Sequence, residues 1–205
     1  DPVAHSLSPR VHNAGFARLK LNKVYVPFRV AREELPSFLA NCREFGVKGL
    51  SVTIPHKEAA LALAGTASDA ATAIGAANTL SFVAGGTIHA DNTDAPGLID
   101  ALPVPAAGLT ALVLGAGGSA RAVVWALRQA GAREVAVHNR TTARARELVE
   151  DFGGGEPVVP LARPVVQAQC DEVEVVAGER RQVGAFGEVL AQQAVGVLVA
   201  RSLPG

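Results

Sequence analysis

The chain has 205 residues, enough for one large domain or two small ones. Hydrophobic residues make up 49% and charged residues 19%, so a core can be buried and the composition argues against disorder. Lys plus Arg and Asp plus Glu balance at 19 each, which leaves no net-charge footprint for nucleic acid or an anionic membrane.

Ser8-Pro9 predicts a helix start, with Ser8 as N-cap and Pro9 at the first helical position, and an apolar face carries the helix to residue 21. Residues 24–28 alternate like a strand. Residues 31–45 predict a helix with Leu35, Phe38, Leu39 and Cys42 on one side and Gly46 as the stop. A strand over 48–53 ends at Pro55, and short helices follow over 57–64 and 69–74. Strands over 79–83 and 87–90 flank Gly85-Gly86, which reads as a two-residue hairpin turn. A helix over 93–102 runs into Pro103-Val-Pro105, the best domain boundary. Strand (110–114), helix (118–130), strand (134–138) and helix (141–152) then alternate, which predicts a parallel, doubly wound sheet. After Gly153-Gly154-Gly155 the pattern weakens to one expected strand, 173–176, and a final helix over 188–201.

Apolar runs such as 59–64 are too short to span a bilayer, and no signal-peptide pattern is present. Cys42 and Cys170 lie far apart and read as ordinary thiols of a cytoplasmic protein. No histidine has metal-ligand spacing, so no metal is expected. The chain has no Met and begins at Asp1 in what looks like a strand-to-loop exit, so it reads as a fragment.

Gly115-x-Gly117-x-x-Ala120 follows a strand and opens a helix, the context a dinucleotide fingerprint requires. The first glycine makes the turn, the second lets backbone approach a pyrophosphate, and the third small residue packs helix on strand. The helix start offers free N–H groups and the positive dipole end to phosphate. At the end of the next strand stands His138-Asn139-Arg140-Thr141, then Arg144, where an NAD site usually has a carboxylate. Guanidinium groups there suit a 2′-phosphate, hence NADP. The plainer alternative is a solvated helix start.

Ser6 and Ser8 sit two residues apart before a helix. Extended, they face the same way and could hold a carboxylate; equally, Ser8 could simply cap the helix. Lys57 opens a short helix, where the dipole disfavours a cation, although most lysines are solvated surface residues. Asp94 suits the first turn of its helix for structural reasons alone, and Asn78 at a strand start is ambiguous. An ammonium, a carboxylate and a dinucleotide turn in one chain are the parts that hydride transfer needs. His5 and His56 read as structural or supporting groups.

The runs HSLSPRVHN (5–13), GLSVTIPHK (49–57), GAANT (75–79), DNTDAPG (91–97), GAGGSARA (115–122) and NRTTARA (139–145) together resemble the shikimate dehydrogenase family. The resemblance implies an α/β fold with two domains. Residues 1–102 would be the substrate-binding and catalytic domain, with a mixed, mainly parallel sheet. Residues 103–186 would be a Rossmann-like NADP-binding domain, and residues 187–205 a helix packing back on the first domain. It implies NADP-dependent, reversible reduction of 3-dehydroshikimate to shikimate, in aromatic amino acid biosynthesis. Lys57 and Asp94 would be the catalytic pair. Ser6 and Ser8 would hold the substrate carboxylate, and Thr53, Asn78 and Asp94 the ring hydroxyls. Gly115, Ala116, Gly117, Gly118, Ser119, Ala120, Asn139, Arg140, Thr141 and Arg144 would hold NADP. Late in the chain, Gln193, with Gln192 as fallback, would reach back to the substrate. The expected state is a monomer or homodimer, with no nucleic-acid or membrane partner.

The chain also departs from the family pattern. Ser51 stands where Asn is frequent. The first strand of the substrate domain, an Asn-Ala-Thr run, a Gly-Met loop and a tyrosine near the nicotinamide are missing; Tyr25 is the only tyrosine. Two other readings follow. One is a quinate/shikimate dehydrogenase using NAD, against which Ser6, Ser8 and Arg140 argue. The other is a shikimate-binding relative without catalysis, motivated by the missing tyrosine.

Overall fold

The computed structural model describes Val3, residues 6–152 and the backbone of residues 196–200. The first half contains α1 (Ser8–Arg18), α2 (Leu35–Glu44), β1 (Gly49–Ser51), α3 (Lys57–Ala62), β2 (Thr66–Ala67), α4 (Asp69–Ile74), β3 (Thr79–Phe82), β4 (Ile88–Asp91) and α5 (Asp94–Ala101). The second contains β5 (Thr110–Leu114), α6 (Gly118–Gln129), β6 (Glu134–His138), α7 (Thr142–Asp151) and β7 (Gly196–Ala200).

The first sheet has the order β1-β3-β4-β2. The sheet is mixed, as expected, but its balance leans the other way: β1·β3 and β3·β4 are antiparallel and β2·β4 is parallel. The cause is local. β3 and β4 are joined by a hairpin, and a hairpin can only make an antiparallel pair. Its turn is longer than a two-residue one. The Val83 N–H donates to the Thr87 carbonyl at 3.0 Å, and Ala84–Gly86 form a 3-10 turn with φ of 80° at Gly85 and 78° at Gly86. Only glycine takes such angles without strain. Leu35, Leu39, Ala60, Ala77, Leu80, Ile88 and Ala90 form the core beneath this sheet.

In the second sheet, ordered β6-β5-β7, β5 and β6 run parallel with Leu114 opposite His138. Ala111 and Val113 on β5, and Val135 and Val137 on β6, alternate into a core completed by Ala120, Val123, Val124 and Leu127 of α6. Burying a side chain such as Leu127 contributes about 1.5–3 kcal/mol. A third cluster of small side chains, Ile74, Ala76, Ala95, Ala122 and Ala126, joins α4 and α5 of the first half to α6 of the second. Alanines allow the close approach that the site depends on.

Three expected elements differ. Residues 24–28 form no strand. Tyr25 is instead held by Asn13, whose Nδ2 donates to the Tyr25 carbonyl at 2.9 Å and whose Oδ1 accepts from the Tyr25 N–H at 2.7 Å. No neighbouring strand pairs with the segment among the described residues. The second helix starts at Leu35 rather than residue 31, because Pro36 fits only a first turn. The expected helix over 188–201, the core of the C-terminal unit assigned to 187–205, is contradicted where it is described: Gly196–Ala200 is a strand antiparallel to β5. A short Gly-Val-Leu-Val-Ala run is ambiguous by periodicity, and the open edge of β5 decides for a strand. Residues 173–176 lie outside the described residues. No described helix is long and apolar enough to cross a membrane.

Candidate active site

Helix α4 shows how the local sequence builds the wall of the site. Ser68 caps it, with Oγ accepting from the Ala71 N–H at 3.1 Å, and Gly75 ends it with φ of 74°. The chain then turns through Ala76 and Ala77, both fully buried, and presents Asn78 at the start of β3. The Ala77 N–H donates to the Lys57 carbonyl at 2.9 Å, which fixes the start of α3 against this turn.

Lys57 is the first residue of α3 and only 4% exposed. Its Nζ donates to Asp94 Oδ2 at 2.8 Å and to Ser119 Oγ at 2.7 Å. Asp94 is the first residue of α5, where a carboxylate meets the positive end of the helix. Its N–H donates to Asn92 Oδ1 at 3.1 Å, and Asn92, 2% exposed, donates from Nδ2 to the Ala76 carbonyl at 2.8 Å. Asn78 completes the network. Its Nδ2 donates to Asp94 Oδ1 at 2.8 Å and to Thr93 Oγ1 at 3.0 Å, while its Oδ1 accepts from the Thr93 N–H at 2.9 Å. A buried cation is costly unless paired and hydrogen-bonded, and here it is both. Asp94 remains 26% exposed, so the pair has one face toward solvent.

The glycine turn lies against this cluster. Gly115 has φ of 116° and donates its N–H to the His138 carbonyl at 2.8 Å. Gly117 precedes α6, and a Cβ there would meet nothing within 4 Å, so the space before the helix start is open. A Cβ on Gly118 would stand 3.4 Å from the Lys57 Cβ. Ala120 is fully buried in the core under β5. Because Leu114 is opposite His138, the turn at Gly115–Gly118 sits beside Asn139, Arg140 and Thr141 at the end of β6. Asn139 Nδ2 donates to the Thr141 carbonyl at 2.9 Å. Arg140 and Arg144 are exposed and, among the described residues, make no ion pair. An open helix start with two unpaired guanidinium groups at the neighbouring strand end fits a pyrophosphate and a second phosphate.

The structure therefore brings Lys57, Asp94 and Asn78 together and sets them against the glycine turn. It does not join Ser6, Ser8 or Thr53 to them by a hydrogen bond among the described residues. Ser8 is not the cap of α1: it is the first helical residue, and its N–H donates to Ser6 Oγ at 3.2 Å. Thr53 is half-buried just ahead of α3, and its carbonyl accepts from the His56 N–H at 2.9 Å. His56 is buried with Nε2 on the Val30 carbonyl at 2.9 Å, a packing role. His5, Gln192 and Gln193 lie outside the described residues. Cys42 is buried in α2, and burial pushes its thiol up, so it is an inert packing group. No His, Cys, Asp and Glu cluster among the described residues could hold a metal.

Sequence reasoning missed Asn92 and Arg121 as site residues and missed the contact that Ser119 makes. Asn92 orients Asp94, and the signal was an Asn two residues before an acidic helix start. Ser119 was read only as part of the cofactor turn. Arg121 clasps the halves: Nε donates to the Ile74 carbonyl at 2.6 Å, its guanidinium pairs with Asp151 at 2.8 Å, and it lies 5.2 Å from the centre of the Phe152 ring.

Residues 1–80 match the model of the shikimate dehydrogenase substrate-binding domain, and residues 103–179 match that of shikimate/quinate 5-dehydrogenase. A shikimate dehydrogenase (NADP(+)) of Caulobacter vibrioides is 49% identical over 174 residues, covering 80% of this chain and 61% of that protein. The crystal structure of shikimate 5-dehydrogenase from Thermus thermophilus, in complex with NADP(H) and shikimate, is 46% identical with a TM-score of 0.70, covering 78% of this chain and 60% of that one. Shikimate dehydrogenase from Aquifex aeolicus is 38% identical with a TM-score of 0.74, covering 82% and 62%. The chain thus spans about three fifths of the length of the relatives it matches. These solved relatives share the two-domain α/β fold, and by sequence and fold together the chain belongs to the shikimate dehydrogenase family.

Proposed function

We propose that the protein is an NADP-dependent shikimate dehydrogenase that interconverts shikimate and 3-dehydroshikimate, a step toward aromatic amino acids. The observation that carries this reading is the Lys57–Asp94 ion pair at 2.8 Å, set beside the start of the glycine-turn helix. In this reading residues 1–102 hold the substrate and residues 103–186 the cofactor. The protein works in the cytoplasm as a monomer or homodimer, without nucleic-acid or membrane partners.

When bound, NADPH supplies the hydride that reduces the ring ketone. The residues of this chain do the rest. Lys57 Nζ places a positive charge and an N–H against the oxygen where negative charge develops, and can give up a proton there. Asp94 holds the ammonium in place through Oδ2 and, with Asn78 and Thr53, bonds ring hydroxyls. Ser6 and Ser8 bind the substrate carboxylate, and Gln193 contacts the substrate. Gly115, Ala116, Gly117, Gly118, Ser119 and Ala120 form the pyrophosphate cradle. Asn139, Arg140, Thr141 and Arg144 hold the nucleotide at its 2′-phosphate end.

The test is a kinetic comparison of shikimate and quinate, each with NADP+ and NAD+. The expected result is the highest kcat/KM for shikimate with NADP+. Faster turnover of quinate or a preference for NAD+ would overturn the substrate or cofactor assignment. Shikimate binding by calorimetry with no turnover would mark a non-catalytic relative.

A further inference from the structure

We infer that Ser119 is a positioning residue for Lys57, through which the nucleotide turn sets the aim of the ammonium; this rests on the dehydrogenase reading above. Ser119 is the second residue of α6 and 7% exposed. Its Oγ accepts from Lys57 Nζ at 2.7 Å, a bond buried on both sides and spanning 62 residues of sequence.

A serine this close to a helix start ordinarily serves the helix. Here no side chain caps α6, whose N-cap is Gly117, and the hydroxyl of Ser119 is turned to the lysine instead. The first turn of α6 also packs along the lysine stem, since a Cβ on Gly118 would lie 3.4 Å from Lys57 Cβ and 3.6 Å from its Cδ. The stem is thus held by Gly118 and the head by Ser119 and Asp94. A lysine side chain has four rotatable bonds and loses rotamer freedom when fixed. Among the described residues Asp94 Oδ2 of α5 and Ser119 Oγ of α6 accept from it, and acceptors on two different helices constrain its direction. The same helix start offers the free N–H groups that suit a pyrophosphate, so a ligand docking there bears on the residue that steers Lys57.

The test uses the intact protein and the variants Ser119→Ala, Ser119→Thr, Lys57→Met and the double variant Ser119→Ala/Lys57→Met. Ser119→Ala is expected to lower kcat about 10-fold while the KM for shikimate stays within about twofold, because misaimed groups lose rate rather than affinity. Ser119→Thr, which keeps a hydroxyl, is expected to recover most of that loss. In the Lys57→Met background, at saturating NADP+, Ser119→Ala is expected to cost several-fold less kcat than it does in the unsubstituted protein, since the group it steers is gone. An equal loss in both backgrounds, or no loss in either, overturns the inference. Independently of turnover, acetic anhydride labelling read by mass spectrometry should modify Lys57 about 5-fold faster in Ser119→Ala, relative to exposed Lys23. Unchanged labelling also overturns it. If the unsubstituted protein oxidises no shikimate, the dehydrogenase reading falls, and the labelling ratio alone decides whether Ser119 holds Lys57.

Discussion

Lys57→Met is expected to lower kcat by about 10³-fold, within the range of a positioned general acid, with the KM for shikimate changed only a few-fold. By transition-state arithmetic that is about 4 kcal/mol of lost stabilisation. The direction of the split follows from the geometry. Substrate affinity in the proposed site is spread over Ser6, Ser8, Thr53, Asn78 and Asp94, whereas the charge at the reacting oxygen comes from Nζ. The substitution is also tolerable structurally. Methionine fills much of the volume of a side chain that is 4% exposed, and the carboxylate left behind is 26% exposed, keeps its bond from Asn78 Nδ2 and stays at the positive end of α5. The reverse substitution, at Asp94, would take a carboxylate away from a buried ammonium and mix stability with activity. Steady-state kinetics beside a thermal melt separate the two effects; near-normal turnover would remove Lys57 from the mechanism.

The double substitution Arg140→Ala/Arg144→Ala is expected to raise the KM for NADPH about 100-fold and that for NADH less than about 3-fold, because only the 2′-phosphate meets the two guanidinium groups. Both arginines are exposed, so added salt should shrink the difference. Equal losses with the two cofactors would show that they are surface charges without a phosphate partner. Neither carries another ion pair among the described residues, so the substitution removes no structural contact of that kind.

The cofactor half was the more legible in sequence, for physical reasons. β5 and β6 were expected over 110–114 and 134–138, and they form there, because each has a short apolar centre of β-forming residues, with Gly115 closing the first and Gly131 preceding the second. Strand 196–200 was not legible. Its four apolar residues after Gly196 suit either element, and its partner, β5, lies some 85 residues earlier, which no local pattern reports. Residues 24–28 alternate correctly yet make no strand, since alternation describes a face and not the neighbour that must pair with it.

Within the site, the residue types of Lys57 and Asp94 were ambiguous taken singly. Family resemblance, not spacing, joined two groups 37 positions apart. Ser119 was legible as part of a glycine turn, but its bond to Lys57 was not. That bond depends on how closely α6 approaches α3, which the buried alanines between α4, α5 and α6 permit. At Ser6 and Ser8 the helix start was legible but its cap was not: Ser8, offered as the N-cap, is the first helical residue, and its N–H donates to Ser6 Oγ.

The most direct test is a crystal structure of the protein with shikimate and NADP+ bound together. The account predicts a ring oxygen of shikimate within about 3 Å of Lys57 Nζ, a second hydroxyl on Asp94, and the nicotinamide on the same side of the ring. A complex in which shikimate lies away from the Lys57–Asp94 pair, or in which the nucleotide binds elsewhere than the start of α6, would contradict it.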